Sequence, residues 1–303
     1  MAAPARGSEC TDAMSATPFE LLDGWLSARL DEAGTAYLES KVRAARENGA
    51  LPAFFLAFST VGRKLGRADL ALSPSELAQA GATRAGFQPS TWNVAQAART
   101  LLLLSLPAKD PDTHRGIVDQ LCEDADLGEL VAVYQSLPLL PFPEEYRERA
   151  AEGIRSNMNA VFEAVALRNP YPSECMEELA WNQLVLKCLF VGSPLYLVHG
   201  LDERANPTLA RMLCDYAHER WAAHRAVSPE LWRCVGPHAD GSMLADLERV
   251  IATGTEPERA GAALAARHNP NAEGVLAVHE AAVDLALAAF PTWDAVAHAG
   301  PQR

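Results

Sequence analysis

Two residues of one segment have the spacing of an acid–base pair. Asp215 stands three residues before His218 in the segment 206–224. On a helix, side chains at i and i+3 are neighbours, so the carboxylate could orient the imidazole and favour its charged form. The alternative, which is the more frequent outcome, is an exposed helix pair that contributes a few tenths of a kcal/mol to stability.

The same segment places cations on its apolar side. On a helical wheel, Arg220 and His224 fall on the face defined by Leu209, Leu213 and Tyr216. A guanidinium stays charged in proteins. Arg220 must therefore meet a carboxylate, the carbonyl groups at a helix C-terminus, or an anionic ligand.

Polar residues also interrupt the apolar segment 175–191, where Ser173 is expected to cap a helix. Apolar residues occur on every side of the helical wheel of this segment, which predicts a helix buried on every side. Protein groups or a ligand must then satisfy Asn182, Gln183 and Lys187. Lys187 either extends to solvent or pairs with a buried carboxylate. The candidate carboxylates are Asp202, Glu203 and Glu219.

A third segment, 144–168, is predicted to form one long helix. Arg155 and Asn157 flank its apolar face, one on each side. The favoured interpretation is that they tie the helix to neighbouring loops. The alternative is that they belong to a site.

Signatures of metal and cofactor chemistry are missing from the sequence. The stretch HERWAAH is not a zinc motif, because Ala222 stands where the second histidine would have to follow His218. The six cysteines have no C-x-x-C or Cys/His ligand spacing. No nucleophile elbow, P-loop or dinucleotide fingerprint is present. We therefore expect neither a metal nor a cofactor.

Helices must position these residues, because the whole chain has helical composition. Alanine, leucine, glutamate and arginine dominate, and prolines lie between the periodic segments. The pattern predicts an all-α fold, either a multi-helix array or a superhelix of αα-hairpins, with no significant sheet. Clear helix starts combine an N-cap residue with a proline. They are Ser73 with Pro74, Asn206 with Pro207, and Ser228 with Pro229.

Charge and hydropathy exclude several classes of partner. The chain of 303 residues has a formal net charge of −13, which argues against nucleic acid or an anionic membrane surface. It contains no apolar run long enough to span a bilayer and no signal-peptide pattern. We expect a soluble cytoplasmic protein that makes no direct membrane span.

Five stretches resemble the EboA family of metabolite traffic proteins. They are FFLAFSTVGRKLGRADL (54–70), LPLLPFPEE (137–145), AAEGIRSNMNAVFEAVALRNPYP (150–172), WNQLVLKCLFVG (181–192) and the whole of 200–237. The resemblance covers roughly 18–237. It implies a bacterial protein of secondary metabolism, encoded with a prenyltransferase-like membrane protein and homologues of sugar-processing enzymes. It supplies no catalytic residues to transfer.

The resemblance also suggests a division of the chain. Residues 1–17 are expected to form a flexible lead-in and 18–237 an EboA-like helical domain. The Ala-rich region 238–303 is expected to form further helices packed on the same domain.

Two functions follow. The first is a non-catalytic component of metabolite export that binds a small polar or anionic metabolite, or other proteins of the pathway. In it Arg155, Lys187, Arg220 and His224 neutralise the ligand. The aromatic contacts would come from Trp181, Trp221 and Tyr216.

The second is an enzyme acting on a phosphorylated sugar or cyclitol, or on its prenylated product, with Asp215 and His218 or Glu219 as acid–base groups. A purely structural subunit is a third interpretation. Convergence of the embedded cations on one cavity would indicate a site, whereas a local acceptor for each would indicate a scaffold. In particular, Asn157, Lys187 and Arg220 are expected to share one polar centre.

Overall fold

A computed structural model describes residues 16–47 and 51–299 of the chain. Within these residues there are eighteen α-helices and no β-strand, and the single β-bridge joins Asp69 to Asn93. The predicted all-α fold is therefore confirmed. None of the helices in this described part has the length and apolar character needed to cross a membrane.

The chain divides into two compact units, Met1–Pro107 and Ala108–Arg303. The helices of the first unit are α1 (Pro18–Ser27), α2 (Glu32–Arg46), α3 (Leu51–Leu65), α4 (Pro74–Thr83) and α5 (Val94–Leu104). Helix α5 packs against α1, α2 and α3 and is buried along most of its length. The predicted lead-in 1–17 lies almost entirely outside the described residues, and the domain boundary at 237 stays a prediction.

The second unit contains the segments singled out in the sequence. Its first seven helices are α6 (Pro111–Glu123), α7 (Leu127–Ser136), α8 (Arg147–Arg155), α9 (Asn159–Ala166), α10 (Tyr171–Cys175), α11 (Glu178–Val191) and α12 (Pro207–Ala222). The later helices are α13 (Trp232–Val235), α14 (Gly241–Thr253), α15 (Glu256–Arg267), α16 (Glu273–Val278), α17 (Glu280–Ala289) and α18 (Trp293–His298). Helix α15 is the centre of this last group and packs on α13, α14 and α17.

The predicted helix starts have the expected chemistry in two of three places. The Ser73 side chain accepts from the Glu76 amide at the start of α4, and Asn206 accepts from the Leu209 amide at the start of α12. Ser228 instead precedes a short 3₁₀-helix, Pro229–Leu231, and makes no side-chain cap.

The prediction of one long helix over 144–168 is wrong. A 3₁₀ turn (Pro143–Tyr146) leads into α8, and the chain leaves helical geometry at Ser156 before α9 begins. The Ser156 hydroxyl accepts a hydrogen bond from the Met158 amide at 3.1 Å. Such a local bond offers the backbone an alternative to the helix, which explains the break.

The prediction for 175–191 needs two corrections. The helix begins at Glu178, and Ser173 lies inside α10, where its hydroxyl donates to the Pro170 carbonyl. The helix is also not buried on every side, because Leu179 is 68% and Phe190 78% exposed, whereas Trp181 is fully buried. One apolar face of α11 therefore meets solvent.

Candidate functional site

Helices α11 and α12 are held side by side by polar contacts. The Asn182 and Asn206 side chains exchange amide hydrogen bonds of 3.3 and 2.8 Å, and the Tyr216 hydroxyl donates to the Leu189 carbonyl at 3.3 Å. These contacts advance in the same direction along both helices, so the helices run roughly parallel. Asn182 is thus satisfied by protein, and it fixes the cap of α12.

A cleft of about 770 Å³ opens beside these two helices, within the second unit. Its lining is supplied by the α8–α9 break, the outer face of α11 and the C-terminal end of α12. The polar lining residues are Ser156, Asn157, Asn159, Gln183, Lys187, Tyr216, Glu219, Arg220 and Arg225. The cleft brings together Asn157, Lys187 and Arg220, three of the residues singled out in the sequence.

Lys187 joins α11 to the end of α8. Its ammonium donates to the Ile154 carbonyl and, at 2.7 Å, to the Ser156 carbonyl, and it lies 4.7 Å from the centre of the Phe162 ring. The predicted carboxylate partner is therefore wrong, because the acceptors are carbonyl groups left open at a helix C-terminus. Partial burial lowers the pKa of the Lys187 amine, while the carbonyl groups and the ring favour its charged form.

Arg220 and His224 form the end of α12. The Arg220 guanidinium donates to the Ala226 carbonyl at 3.0 and 2.9 Å. Lys187 and Arg220 thus each have a local backbone acceptor, the arrangement expected of structural cations, so a charge available to a ligand must come from another residue. The His224 amide bonds to the Trp221 carbonyl and the Arg225 amide to the Arg220 carbonyl. With His224 at a φ of +53°, this is a Schellman motif in which a histidine takes the left-handed position.

The Schellman motif explains why Arg225 faces the cleft. A helix that continued through Arg225 would carry this residue on the face opposite Leu209, but α12 ends at Ala222 and the left-handed turn redirects the chain. The sequence gives only a weak indication that the helix ends here, since histidine is less common than glycine at the left-handed position of such a turn. His224 itself is exposed and does not line the cleft.

Several polar side chains of the cleft are available to bind a ligand. In the described part of the chain, the side chains of Asn157, Asn159, Gln183 and Arg225 make no hydrogen bond or ion pair. Leu186 and Phe190 supply apolar surface beside them. The lining holds three cationic side chains against one carboxylate, Glu219. In a chain of net charge −13, this is a local environment suited to an anionic or polar ligand.

Other predicted site residues lie elsewhere. Arg155 is exposed at the end of α8, and Asp215 is exposed on α12. Trp181 is buried with its ring 5.0 Å from the Arg204 guanidinium, and its indole nitrogen has no hydrogen-bond partner. None of the three lines the cleft.

The predicted pairing of Asp215 with His218 is wrong. The His218 Nε2 atom lies 2.8 Å from both carboxylate oxygens of Asp246 on α14, and its ring lies 5.6 Å from that of Trp221. This pair is outside the cleft lining. A sequence signal for Asp246 exists, because it sits among Met243, Leu247 and Val250 on the buried face of α14.

Within the described residues, no group of His, Cys, Asp and Glu side chains has an arrangement that could hold a metal ion.

Comparison with protein families gives one finding. Residues 19–236 match the family described as metabolite traffic protein EboA. Neither a curated protein nor a solved structure matches the chain.

Proposed function

This chain belongs to the EboA family, and from that premise we propose that it is a non-catalytic component of metabolite traffic that binds a small polar or anionic metabolite in the cleft between α11 and α12. The observation that carries the proposal is the chemistry of the lining. Amides and a guanidinium that have no partner among the described residues share one concave surface with apolar side chains.

The cleft groups have complementary tasks. Arg225 would pair with an anionic group of the ligand, because a guanidinium matches carboxylate and phosphate geometry. Asn157, Asn159 and Gln183 each offer both a donor and an acceptor, which suits hydroxyl groups. Phe190 would cover an apolar part of the ligand.

Acid–base groups are poorly placed for catalysis in this cleft. The His218 imidazole, which Asp246 orients, lies outside the lining. Glu219 is the single carboxylate of the lining. Of the acid–base groups named for the enzymatic alternative, Asp215 and His218 thus lie outside the lining, and only Glu219 lies within it. The geometry favours binding over turnover.

Calorimetric titration tests the proposal with inorganic phosphate, glucose 6-phosphate and glucuronate as anionic probes, and glucose as the uncharged one. At least one anionic probe is expected to bind more tightly than glucose. Arg225→Ala should weaken that binding by roughly 10- to 100-fold, since a charge-assisted hydrogen bond contributes about 1.5–3 kcal/mol. Gln183→Ala should have a smaller effect.

Arg155→Ala is the matched control, because Arg155 is an exposed cation outside the cleft. The Arg155→Ala variant should bind the anionic probes with the affinity of the unmodified chain. Equal binding of all probes by the Arg225→Ala and Arg155→Ala variants would refute the assignment of the cleft. Capture of pathway proteins by the purified chain, together with cell fractionation, tests the remaining elements of the proposal, a protein partner and a cytoplasmic location.

A further inference from the structure

One face of α11 carries a row of solvent-facing side chains. Leu179, Gln183, Leu186 and Phe190 follow each other at intervals of four, three and four residues, which places them on one side of the helix. Leu179 and Phe190, at the two ends of the row, are 68% and 78% exposed. We refer to these four residues as the α11 stripe.

Opposite charges flank the two ends of the α11 stripe. Glu177 and Glu178 are exposed at the start of α11, beside Leu179. Arg220 and Arg225 line the same cleft as Phe190, at the other end. The helix has 14 residues, so about 21 Å separate its acidic end from its basic end at 1.5 Å per residue.

We propose that the α11 stripe is the contact surface for a second copy of this chain, with the two α11 helices antiparallel across a two-fold axis. A two-fold contact uses the same patch on both copies, so the patch must be complementary to itself. In this arrangement Leu179 of each copy packs on Phe190 of the other, and Gln183 meets Leu186. Glu178 of each copy then lies toward Arg225 of the other.

The distribution of charge favours a second copy of this chain over other partners. Two copies of a chain with net charge −13 repel each other overall, so association needs a local pattern that offsets the repulsion. The acidic and basic ends of the stripe provide it twice in the antiparallel arrangement. An anionic membrane surface would meet Glu177 and Glu178 as like charges, and it fits only one end of the row.

This inference goes beyond the proposed function and does not depend on it. Leu186 and Phe190 belong both to the α11 stripe and to the cleft lining. The second copy would therefore form the outer wall of the cleft. Asn157 lies outside the stripe, so loss of ligand binding in Asn157→Ala with unchanged association separates the two ideas.

Sedimentation velocity and light scattering test the association between about 1 and 100 µM protein. The unmodified chain is expected to reach twice its mass of 32.6 kDa. Leu179→Glu and Phe190→Glu should each raise the dimer dissociation constant by roughly 30-fold or more, the effect of losing an interface anchor. Leu285→Glu is the control, because Leu285 on α17 is 62% exposed and lies outside the stripe.

A charge exchange tests the antiparallel arrangement. Glu178→Arg and Arg225→Glu should each weaken the dimer, and the double variant should recover the original dissociation constant within a few-fold. A chain that is monomeric at every concentration, or a dimer unaffected by Leu179→Glu and Phe190→Glu, overturns the proposal. So does a monomeric chain that binds vesicles of anionic phospholipid. A double variant no tighter than the weaker single variant overturns the arrangement.

Discussion

The Lys187 ammonium on α11 donates a hydrogen bond of 2.7 Å to the carbonyl oxygen of Ser156, just beyond the end of α8. A second hydrogen bond reaches the Ile154 carbonyl. A cation of one helix thus satisfies the open C-terminal carbonyl groups of another helix, where positive charge is favourable. The same contact fixes the α8–α9 break as a wall of the cleft.

Replacing Lys187 should therefore destabilise the second unit. Lys187→Met keeps the length of the side chain but removes its donors, and we expect a loss of about 1–3 kcal/mol in the free energy of unfolding. Urea titration followed by circular dichroism measures it. Arg225→Ala, which removes an exposed cation that pairs with none of the described side chains, should change stability by less than about 0.5 kcal/mol. Equal effects of the two variants would contradict a bracing role for Lys187.

His114 should make stability depend on pH. It is buried, its Nδ1 atom lies 2.5 Å from the Tyr146 hydroxyl, and its Nε2 atom has no partner within 16–47 and 51–299. Burial lowers the pKa of His114 from 6.5. The unfolded chain then binds the proton first as the pH falls, so this contribution is complete above pH 6.5 and is lost progressively toward the lower folded pKa.

Urea titrations between pH 7.5 and 5 measure this loss. The slope due to His114 should not exceed about 1.4 kcal/mol per pH unit, the value for one proton. His114→Gln keeps a hydrogen-bonding side chain but removes the titration, so its slope should be shallower. An unchanged slope in His114→Gln would contradict the prediction.

Two helical glycines should respond to alanine with opposite signs. A Cβ atom at Gly153 on α8 would lie 2.6 Å from a Val165 methyl group and 2.7 Å from the Tyr134 ring, whereas one at Gly116 on α6 meets nothing within 4 Å. Gly116→Ala should stabilise the protein by up to about 1 kcal/mol, because alanine favours the helix.

Gly153→Ala should destabilise the protein by about 1–3 kcal/mol, because the packed side chains of Val165 and Tyr134 must move. Thermal and urea unfolding of both variants provide the comparison. Stabilisation by both substitutions would show that α8 does not approach α7 and α9 as closely as described.

The His218 pair should affect stability without affecting the cleft. His218 has a half-exposed side chain, and its partner Asp246 is largely buried. Because solvent screens the pair, His218→Ala should cost only about 1 kcal/mol. The affinity for the anionic probes should stay within two-fold of the original, since His218 does not line the cleft. A large loss of affinity in this folded variant would instead revive the acid–base interpretation.

Sequence reasoning succeeds where local chemistry determines structure. The caps at Ser73 and Asn206 depend on side chains and amides three residues away, and both form as predicted. The all-α fold follows from composition and periodicity over the whole chain. Five stretches between 54 and 237 carry the family resemblance, and the matched range 19–236 agrees with its extent of roughly 18–237.

Sequence reasoning fails where the contact partner of a side chain comes from another helix. The sequence predicts that Lys187 either extends to solvent or pairs with a carboxylate. It instead binds carbonyl groups that lack helical partners because the chain breaks at Ser156. His218 was paired within its own helix, whereas the packing of α14 on α12 supplies Asp246. Periodicity likewise treated α11 as buried on all sides, since the wheel cannot tell which apolar face lacks a neighbour.

The left-handed turn at His224 has a consequence for ligand affinity. The Arg225 amide donates to the Arg220 carbonyl and the preceding His224 amide to the Trp221 carbonyl, while the Arg220 side chain closes the following loop at Ala226. A group held in place before binding loses less conformational entropy when the ligand arrives. Folding has already ordered the chain that carries this cation, so only the side-chain rotamers of Arg225 remain to be fixed. The cleft is in this sense preorganised on its cationic side.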